Sequence, residues 1–371
     1  MIYLDNAATS RFKPKCVIDA LTYDVKNSAN CGRSGHKASI ATTLAVENAR
    51  NYFKDKFAVD NVVFTKNCTE ALNLAILGFV KNGMMVVTTE NEHNSVLRPL
   101  HYLQAQGMIS LSILPVVDGF APFDALVDSG KQADLIVVSN ISNLLGCQVD
   151  IKSLKEHLRD YPVKILVDGA QGVPYVDIDG FCADMIALPA HKGLHGIQGT
   201  GALLFKEEIT INPLLHGGTG TESFNLIQPT TIPEGLEAGT LFSGGIVAFQ
   251  EGARWTYENI GEIRRHIEGL ASECAYCLKN LGVTVYNKEF RSGIVTFNIR
   301  DIDSQTVANY LDQKNIAVRG GFHCAPLIHK RLQTDTQGAV RASFGVDNNE
   351  KDLLYLLSII ERFLAKIEKQ N

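Results

Sequence analysis

The segment KILVDGAQGVPYVDIDGFCADMIALPAHK (residues 164–192) contains two short apolar runs, KILVDGA (164–170) and ADMIALPA (183–190), each bounded by small or polar residues. Runs of this length that are apolar throughout, without alternation, are typical of strands buried on both faces. The segment therefore predicts two strands of a mostly parallel sheet that helices cover on both sides.

The same pattern extends from about residue 61 to residue 205. Further apolar runs, VVFT (62–65), MVVTTE (85–90) and DLIVVSN (134–140), alternate with stretches of helical periodicity. Short buried strands that alternate with helices predict an α/β domain.

The second half of the chain has a different pattern. Residues 212–241 are irregular and rich in Gly, Thr and Pro, and a helical stretch follows over about 244–280. Short apolar runs such as IVTFNIR (294–300) then alternate with helical stretches, the last of which ends the chain. This order predicts a smaller α+β domain.

The composition is that of a globular protein: 371 residues, of which 45% are hydrophobic and 20% charged. The 35 Lys and Arg against 40 Asp and Glu give a formal charge of -5, without a block of like charges. Neither nucleic acid nor an anionic membrane is therefore an expected partner, and a small molecule is favoured.

The N-terminus lacks a basic region followed by an apolar one, and no apolar run reaches roughly 20 residues, so we expect a cytoplasmic protein.

Eight cysteines are scattered over the chain without a secretory signal, which favours free thiols over a disulfide framework. Cys274 and Cys277 form a CxxC pair inside the helical pattern GEIRRHIEGLASECAYCLKNLG (261–282), without a second ligand pair at zinc spacing. We interpret them as helix-packing thiols rather than a redox or metal site.

Ligands of open parallel sheets bind just beyond the carboxyl ends of the strands. The polar residues that follow the predicted strands should therefore share one edge of the sheet. They are Thr65 to Thr69, His93, Asn143, Asp168, Gln171, His191 and Lys192.

Lys192 and Asp168 are the residues that indicate which chemistry this edge supports. A lysine after a buried strand is either a solvated surface residue or an amine of lowered pKa, whose usual covalent use is a Schiff base. Asp168 ends an apolar strand and is either a turn residue or the partner of a pyridinium nitrogen. Together the two residues favour pyridoxal 5'-phosphate (PLP) as a cofactor.

Cys68 and Thr69 lie at the start of a predicted helix in TKNCTEALNLA (65–75). The free amides of such a helix start favour an anion such as a phosphate, although Thr69 as a plain helix cap fits the same residues. His93 would present a flat ring near a cofactor or, alternatively, have a structural role.

A second group lies in RGGFHCAPLIHK (319–330), whose glycines and proline are typical of a loop. Cys324 is therefore expected to be accessible, with its thiolate favoured by the neighbouring imidazole and arginine. Arg341 lies in the apolar run AVRASFG (339–345), where an unpaired guanidinium would be costly. Its partner is either an internal carboxylate or the carboxylate of a substrate.

At this point several motifs, taken in order, resemble one family. They are YLDNAATS (3–10), TEALNLA (69–75), Glu-His (92–93), SNLLG (142–146), VDGAQG (167–172), HKG (191–193), EAGT (237–240), RGGFHCAP (319–326) and VRASFG (340–345). The chain resembles the class V aminotransferase-fold PLP enzymes, and within them the cysteine desulfurases and selenocysteine lyases. The resemblance implies the PLP-dependent transferase fold type I, with a seven-stranded, mostly parallel sheet in a large domain (15–246). A smaller α+β domain (1–14 and 247–371) would carry the catalytic cysteine.

The resemblance also assigns cofactor contacts. Lys192 would bind PLP covalently, Asp168 would pair with the pyridine nitrogen, Gln171 would contact the phenolic oxygen and His93 would stack on the ring. The implied phosphate contacts are Cys68, Thr69, His191 and, from the other subunit of a homodimer, Thr240. Asn143, Arg341 and Arg319 would orient the amino-acid substrate, and Asn143 is also counted among the cofactor contacts.

The activity implied by the resemblance is a PLP-dependent cysteine desulfurase. L-cysteine would become L-alanine, with a persulfide left on Cys324 for an acceptor protein, for example in iron–sulfur cluster assembly. The alternatives are a selenocysteine or cysteine sulfinate lyase, an aminotransferase of the same fold, or an inactive relative that binds a partner. The short span after Cys324 is similar to the branch with a short catalytic loop.

Three departures from the family pattern concern the cofactor. Pro189-Ala190 precede His191-Lys192 where the family has Ser-Gly, and Cys68 replaces a threonine of the phosphate turn. The loop GLHGIQGTGALL (193–204) lacks the usual tyrosine. These departures predict either weaker cofactor binding, since two hydroxyls are lost, or a side branch of the family with a different role.

Overall fold

The computed structural model describes residues 1–32 and 34–369. Its helices are α1 (Lys15–Asn27), α2 (Lys37–Phe57), α3 (Cys68–Phe79), α4 (Asn94–Ala105), α5 (Phe123–Gly130), α6 (Ile151–His157), α7 (Ser243–Glu258), α8 (Ile260–Asn280), α9 (Ser304–Asp312), α10 (Pro326–Arg331) and α11 (Glu350–Glu368). Its strands are β1 (Ile2–Tyr3), β2 (Asn61–Thr65), β3 (Met84–Thr89), β4 (Ile109–Leu114), β5 (Leu135–Ser139), β6 (Lys164–Asp168), β7 (Met185–Pro189), β8 (Gly201–Phe205), β9 (Thr284–Val285), β10 (Ile294–Asn298), β11 (Ile316–Ala317), β12 (Arg319–Gly321) and β13 (Ala339–Ser343).

A seven-stranded sheet with the order β2-β8-β7-β6-β5-β3-β4 forms the centre of the larger part. Strands β3 to β7 are parallel wherever they pair, and β8 runs antiparallel to both of its neighbours. The predicted α/β architecture with a mostly parallel sheet is therefore confirmed.

Strands β5, β7 and β8 are buried at every residue because helices cover the sheet on both sides, whereas the edge strand β4 is partly exposed. In β7, Met185 and Ala187 pack into a core shared with α3 and α4, whereas Ile186 and Leu188 pack into a core shared with α2 and α7. Burial of a large apolar side chain stabilises the fold by about 1.5–3 kcal/mol, which explains why the strands are apolar throughout.

A four-stranded antiparallel sheet, β12-β13-β10-β9, lies in the second half of the chain. Helices α8, α9 and α11 pack on it around a separate core, which also contains Leu4. The N-terminal strand β1 pairs in parallel with β11. The predicted boundary between residues 246 and 247 falls inside α7, which packs on α1 and α2. The domain limits stay a prediction.

The carboxyl ends of β3, β5, β6 and β7 meet at one edge of the large sheet, because these strands run in the same direction. Helices α3 and α4 begin at this edge, so their N-terminal amides face the space above it. Among the described residues, no helix has both the length and the apolar composition that crossing a membrane requires.

Candidate active site

A cavity with about 540 Å³ of empty space, part of it open solvent, lies at the carboxyl edge of the large sheet. It brings together eight residues that the sequence predicted: Cys68, Thr69, His93, Asn143, Asp168, Gln171, His191 and Lys192. They meet because each follows a strand that ends at this edge or begins a helix there. The cavity is also lined by Ser95 and Ser139, which the sequence reasoning missed.

Lys192 and Asp168 dominate the electrostatics of the cavity. Burial lowers the pKa of the Lys192 amine, and the charge of Asp168 opposes that shift. Within the described part of the chain, charges act on this amine but no hydrogen bond does. The arrangement provides an amine that is more easily deprotonated than an exposed lysine and is free to react.

Asp168 is a buried carboxyl group with few protein partners. Its Oδ1 accepts hydrogen bonds from the backbone N–H of Ala170, at 2.9 Å, and from the thiol of Cys68, at 3.6 Å. Burial raises its pKa, which the Ala170 hydrogen bond opposes. Only 4% of Asp168 is exposed, and its bond to the Ala170 N–H is one that a turn residue makes, so the turn role and the cofactor role both stay open.

The start of α3 forms a wall of the cavity. Asn67 is the N-cap, and its side chain accepts a hydrogen bond from the N–H of Glu70 at 2.9 Å. The interpretation of Thr69 as the helix cap is therefore wrong; its hydroxyl instead lies 2.8 Å from that of Ser95. Asn67, two residues before Thr69, is an equally favourable N-cap residue, so the sequence alone did not separate the two.

His93 has the structural role considered for it, and it also lines the cavity. It is the N-cap of α4, where its Nδ1 accepts a hydrogen bond from the N–H of Ser95 at 3.0 Å. Burial, with a smaller contribution from the charge of Lys192, lowers its pKa to about 4. The ring is therefore neutral at physiological pH.

Three buried polar atoms in and beside the cavity have no partner within the described residues: His191 Nδ1, Asn143 Oδ1 and Arg341 Nε. Buried polar groups are seldom left unpaired, so these atoms indicate a polar ligand. A reactive amine, a buried carboxylate and a helix start in one cavity fit the aldehyde, the ring nitrogen and the phosphate of PLP.

Cys324 lies at the outer side of this cavity. It lines an adjoining groove together with Thr69, His93 and Ser95, which are also cavity residues. Cys324 is half-buried. His323 does not provide the positive charge that we expected beside Cys324, because it is buried, its Nε2 lies 2.9 Å from the carbonyl of Ala339, and burial lowers its pKa to about 2.

Arg341 is fully buried, and within the described residues only some of its guanidinium nitrogens have hydrogen-bond partners. Its Nη1 donates to the carbonyl of Asn143 at 3.0 Å, and its Nη2 lies 3.3 Å from the carboxylate of Asp5. The internal carboxylate partner is therefore present, and Nε remains unpaired. Arg319 faces Arg341 in the register of β12 and β13, so both side chains are on one face. Two guanidinium groups and one carboxylate leave a positive charge there, which fits an anion.

Other residues lie apart from the cavity or were not predicted. Thr240 is exposed and lines a separate pocket with Phe64 and Glu237. Glu92 is completely buried, accepts hydrogen bonds from Thr89 and Ser139, and has a pKa raised to about 7 by burial. Its position next to His93 was the signal that could have found it.

Cys274 and Cys277 lie on α8, far along the chain from the cavity residues. Cys274 is completely buried in the core of the second half, where burial raises the pKa of its thiol. Cys277 is half-buried. This placement supports the interpretation of Cys274 as a packing thiol.

The fold and the site together define the class V aminotransferase fold, a fold type I architecture of PLP-dependent enzymes. The chain belongs to the aminotransferase class-V family, whose family model matches residues 2–356.

Relatives similar to this chain are named as cysteine desulfurases. A probable cysteine desulfurase of Pyrococcus abyssi is 33% identical and covers 100% of this chain and 96% of its own length. One of Halalkalibacterium halodurans is 31% identical over 98% of this chain and 93% of its own. The solved apo structure of a cysteine desulfurase from Thermococcus onnurineus is 32% identical, with a TM-score of 0.90 over 98% of this chain and 95% of the solved one.

Proposed function

We propose that this protein is a PLP-dependent cysteine desulfurase. L-cysteine and the Cys324 thiol would give L-alanine and a persulfide on Cys324, so that one sulfur atom moves and no external oxidant or reductant is needed. The observation that carries the proposal is the position of Cys324, in a groove that shares three residues with the Lys192 cavity. The names of the full-length relatives support it.

We propose the following cofactor contacts. Lys192 binds PLP covalently, Asp168 pairs with its ring nitrogen, Gln171 contacts its phenolic oxygen and His93 lies against its ring. The phosphate is held by Cys68, Thr69 and His191 at the start of α3 and after β7. When bound, PLP withdraws electrons from the α-carbon of an amino acid and so weakens the bonds at that atom.

Residues of the chain bind the substrate and carry out the other steps of the reaction. Arg341 and Arg319 bind the substrate carboxylate, and Asn143 orients it. Once the substrate amine has released Lys192 from its covalent bond, the Lys192 amine, whose pKa burial lowers, takes the proton from the α-carbon. The Cys324 thiolate attacks the substrate sulfur; the new S–S bond forms as the substrate's C–S bond breaks, and the remaining three-carbon unit is protonated to alanine.

We further propose a homodimer in which Thr240 reaches the phosphate site of the partner. Thr240 is exposed and lies outside the cavity of its own chain. Three apolar side chains nearby in sequence, Phe224, Leu226 and Ile227, are at least 76% exposed. Apolar groups this exposed are typical of an interface.

The proposal also includes an acceptor protein for the persulfide sulfur, with iron–sulfur cluster assembly as its use, and a cytoplasmic location. The open groove beside Cys324 supports access by an acceptor. A division into domains at residues 15–246 and 1–14 with 247–371 is likewise proposed, since the two regions have separate sheets and cores.

The test is incubation of the purified protein with PLP and L-cysteine, followed by quantification of alanine and intact-mass measurement of added sulfur. Wild type and Cys277→Ser should both give alanine and one added sulfur, because Cys277 is a half-buried thiol on α8, outside the cavity and groove. Cys324→Ser should give neither. Amine transfer to a keto acid without alanine and without added sulfur would instead support an aminotransferase.

A further inference from the structure

The loop that carries Cys324 has an unfavourable backbone conformation. His323 and Cys324 have φ angles of 49° and 56°, so two consecutive residues with a Cβ occupy the left-handed region. This region costs roughly 1–2 kcal/mol per residue and persists only where surrounding contacts impose it. The position of Cys324 is therefore imposed by contacts outside the loop.

Two of these contacts hold the backbone on either side of the thiol. The carbonyl of Cys324 accepts a hydrogen bond from the N–H of Asn94, the first residue of α4, at 2.8 Å. The carbonyl of His323 accepts one from Nδ2 of Asn143, also at 2.8 Å. Both donors belong to the edge of the large sheet, so that edge fixes the loop.

A third contact joins the same edge to α10, which begins two residues after Cys324. Nε and Nη2 of Arg331, the last residue of α10, each lie 2.9 Å from a carboxylate oxygen of Glu90. The carboxylate also accepts a hydrogen bond from the N–H of Val116 at 2.9 Å. A bidentate pair of this kind fixes orientation as well as distance.

Glu90 and Asn94 belong to one turn, between β3 and α4. The segment from Glu90 to Asn94 therefore contacts this part of the chain twice, at Cys324 through the Asn94 amide and at the end of α10 through Arg331. Neither Glu90 nor Arg331 lines the cavity.

We propose that Glu90 and Arg331 are positioning residues that hold the Cys324 thiol at attacking distance from the substrate sulfur. The inference rests on the proposed desulfurase function and adds residues that act on the reaction without touching substrate or cofactor. Loss of the pair lets α10 and the loop relax, so the thiol is in place for a smaller fraction of the time.

The test compares Glu90→Gln and Arg331→Gln with the control Arg300→Gln. Gln at position 90 keeps an oxygen for the Val116 N–H. Arg300 pairs with Glu368 at 2.9 Å, and its side chain is 45% exposed, as is that of Arg331. We expect kcat for alanine formation to fall about tenfold in both pair variants, with KM for L-cysteine unchanged. The double variant should be no slower than either single variant, and Arg300→Gln should match wild type.

A second measurement needs neither cofactor nor substrate: the rate at which iodoacetamide alkylates Cys324, followed by peptide mass spectrometry. We expect a several-fold change in the Glu90 and Arg331 variants and none in Arg300→Gln. If Arg331→Gln matches Arg300→Gln in kcat and in alkylation rate, the positioning proposal is wrong. If wild type forms no alanine while the alkylation rates differ as expected, the desulfurase proposal fails and the positioning of the thiol stands.

Discussion

Replacement of Glu237 by Gln should lower the free energy of unfolding by about 3 kcal/mol, because it leaves a buried guanidinium without its charged partner. Both Glu237 oxygens lie close to Arg50, at 2.8 and 2.9 Å, and one of them also accepts the backbone N–H of Phe64 at 2.6 Å. The side chains of Arg50 and Glu237 are each only 4% exposed.

The magnitude follows from the surroundings of Arg50. Removal of one member of a buried pair costs about 3–5 kcal/mol. Glu47 remains 3.1 Å from Nε of Arg50, but its side chain is 45% exposed, so solvent screens this pair to less than about 1 kcal/mol. The expected loss is therefore at the lower end of the range.

The assay is urea unfolding followed by the fluorescence of Trp255, the single tryptophan of the chain. Trp255 lies on α7, which packs against α2, the helix that carries Arg50. Glu368→Gln removes a partner of exposed Arg300 and is the control, with an expected loss below about 1 kcal/mol. A Glu237→Gln midpoint no lower than that of Glu368→Gln would refute the reasoning.

Two further predictions concern pH and the cofactor. The free energy of unfolding should fall as pH drops from about 6.5 to about 4, because four buried histidines have pKa values lowered to about 4 and bind protons in this range only on unfolding. They are His93, His191, His195 and His329. Each histidine lowers it by at most about 1.4 kcal/mol per pH unit. Three buried carboxyl groups with raised pKa values, Glu92 (to about 7), Asp168 and Glu237, oppose this but are fewer than the histidines. Equal urea midpoints at pH 7 and pH 5 would therefore contradict the prediction. Cys68→Thr should tighten PLP binding about tenfold in an absorbance titration, since a hydroxyl is a stronger phosphate donor than a thiol that donates to Asp168. Cys182→Thr, at a buried thiol that does not line the cavity, should leave the affinity unchanged, and equal affinities of wild type and Cys68→Thr would oppose the assignment.

The central strands of the large sheet were predictable because they are buried on both faces, and such strands are mostly apolar. The edge strand β4 alternates apolar residues with serines, is partly exposed and was not predicted. The residues of the cavity were predictable for a related reason: parallel strands end at one edge, so the residue that follows each apolar run must lie there. Asp168, His191 and Lys192 meet in this way although they come from two strands.

The contacts that position these residues were not predictable in the same way. Asp5 and Arg341 are separated by 336 residues, and Glu90 and Arg331 by 241. No periodicity relates such pairs, since each depends on how the two sheets pack together. The expectation that His323 carries a positive charge was wrong for the same reason. Its burial, which lowers its pKa, comes from the packing of the loop and not from its neighbours in sequence.

The pairing of β1 with β11 determines when β1 can take its place in the fold during synthesis. The strands of the large sheet all precede residue 206, so the ribosome has released them long before Ile316 and Ala317 exist. Ile2 and Tyr3 are made before these partners and can pair with them only after residue 317 has been made. The same segment carries Asp5, the carboxylate next to Arg341. This segment is therefore made before the large sheet but docks after it, and the anion site is finished only when the residues up to Arg341 have been made.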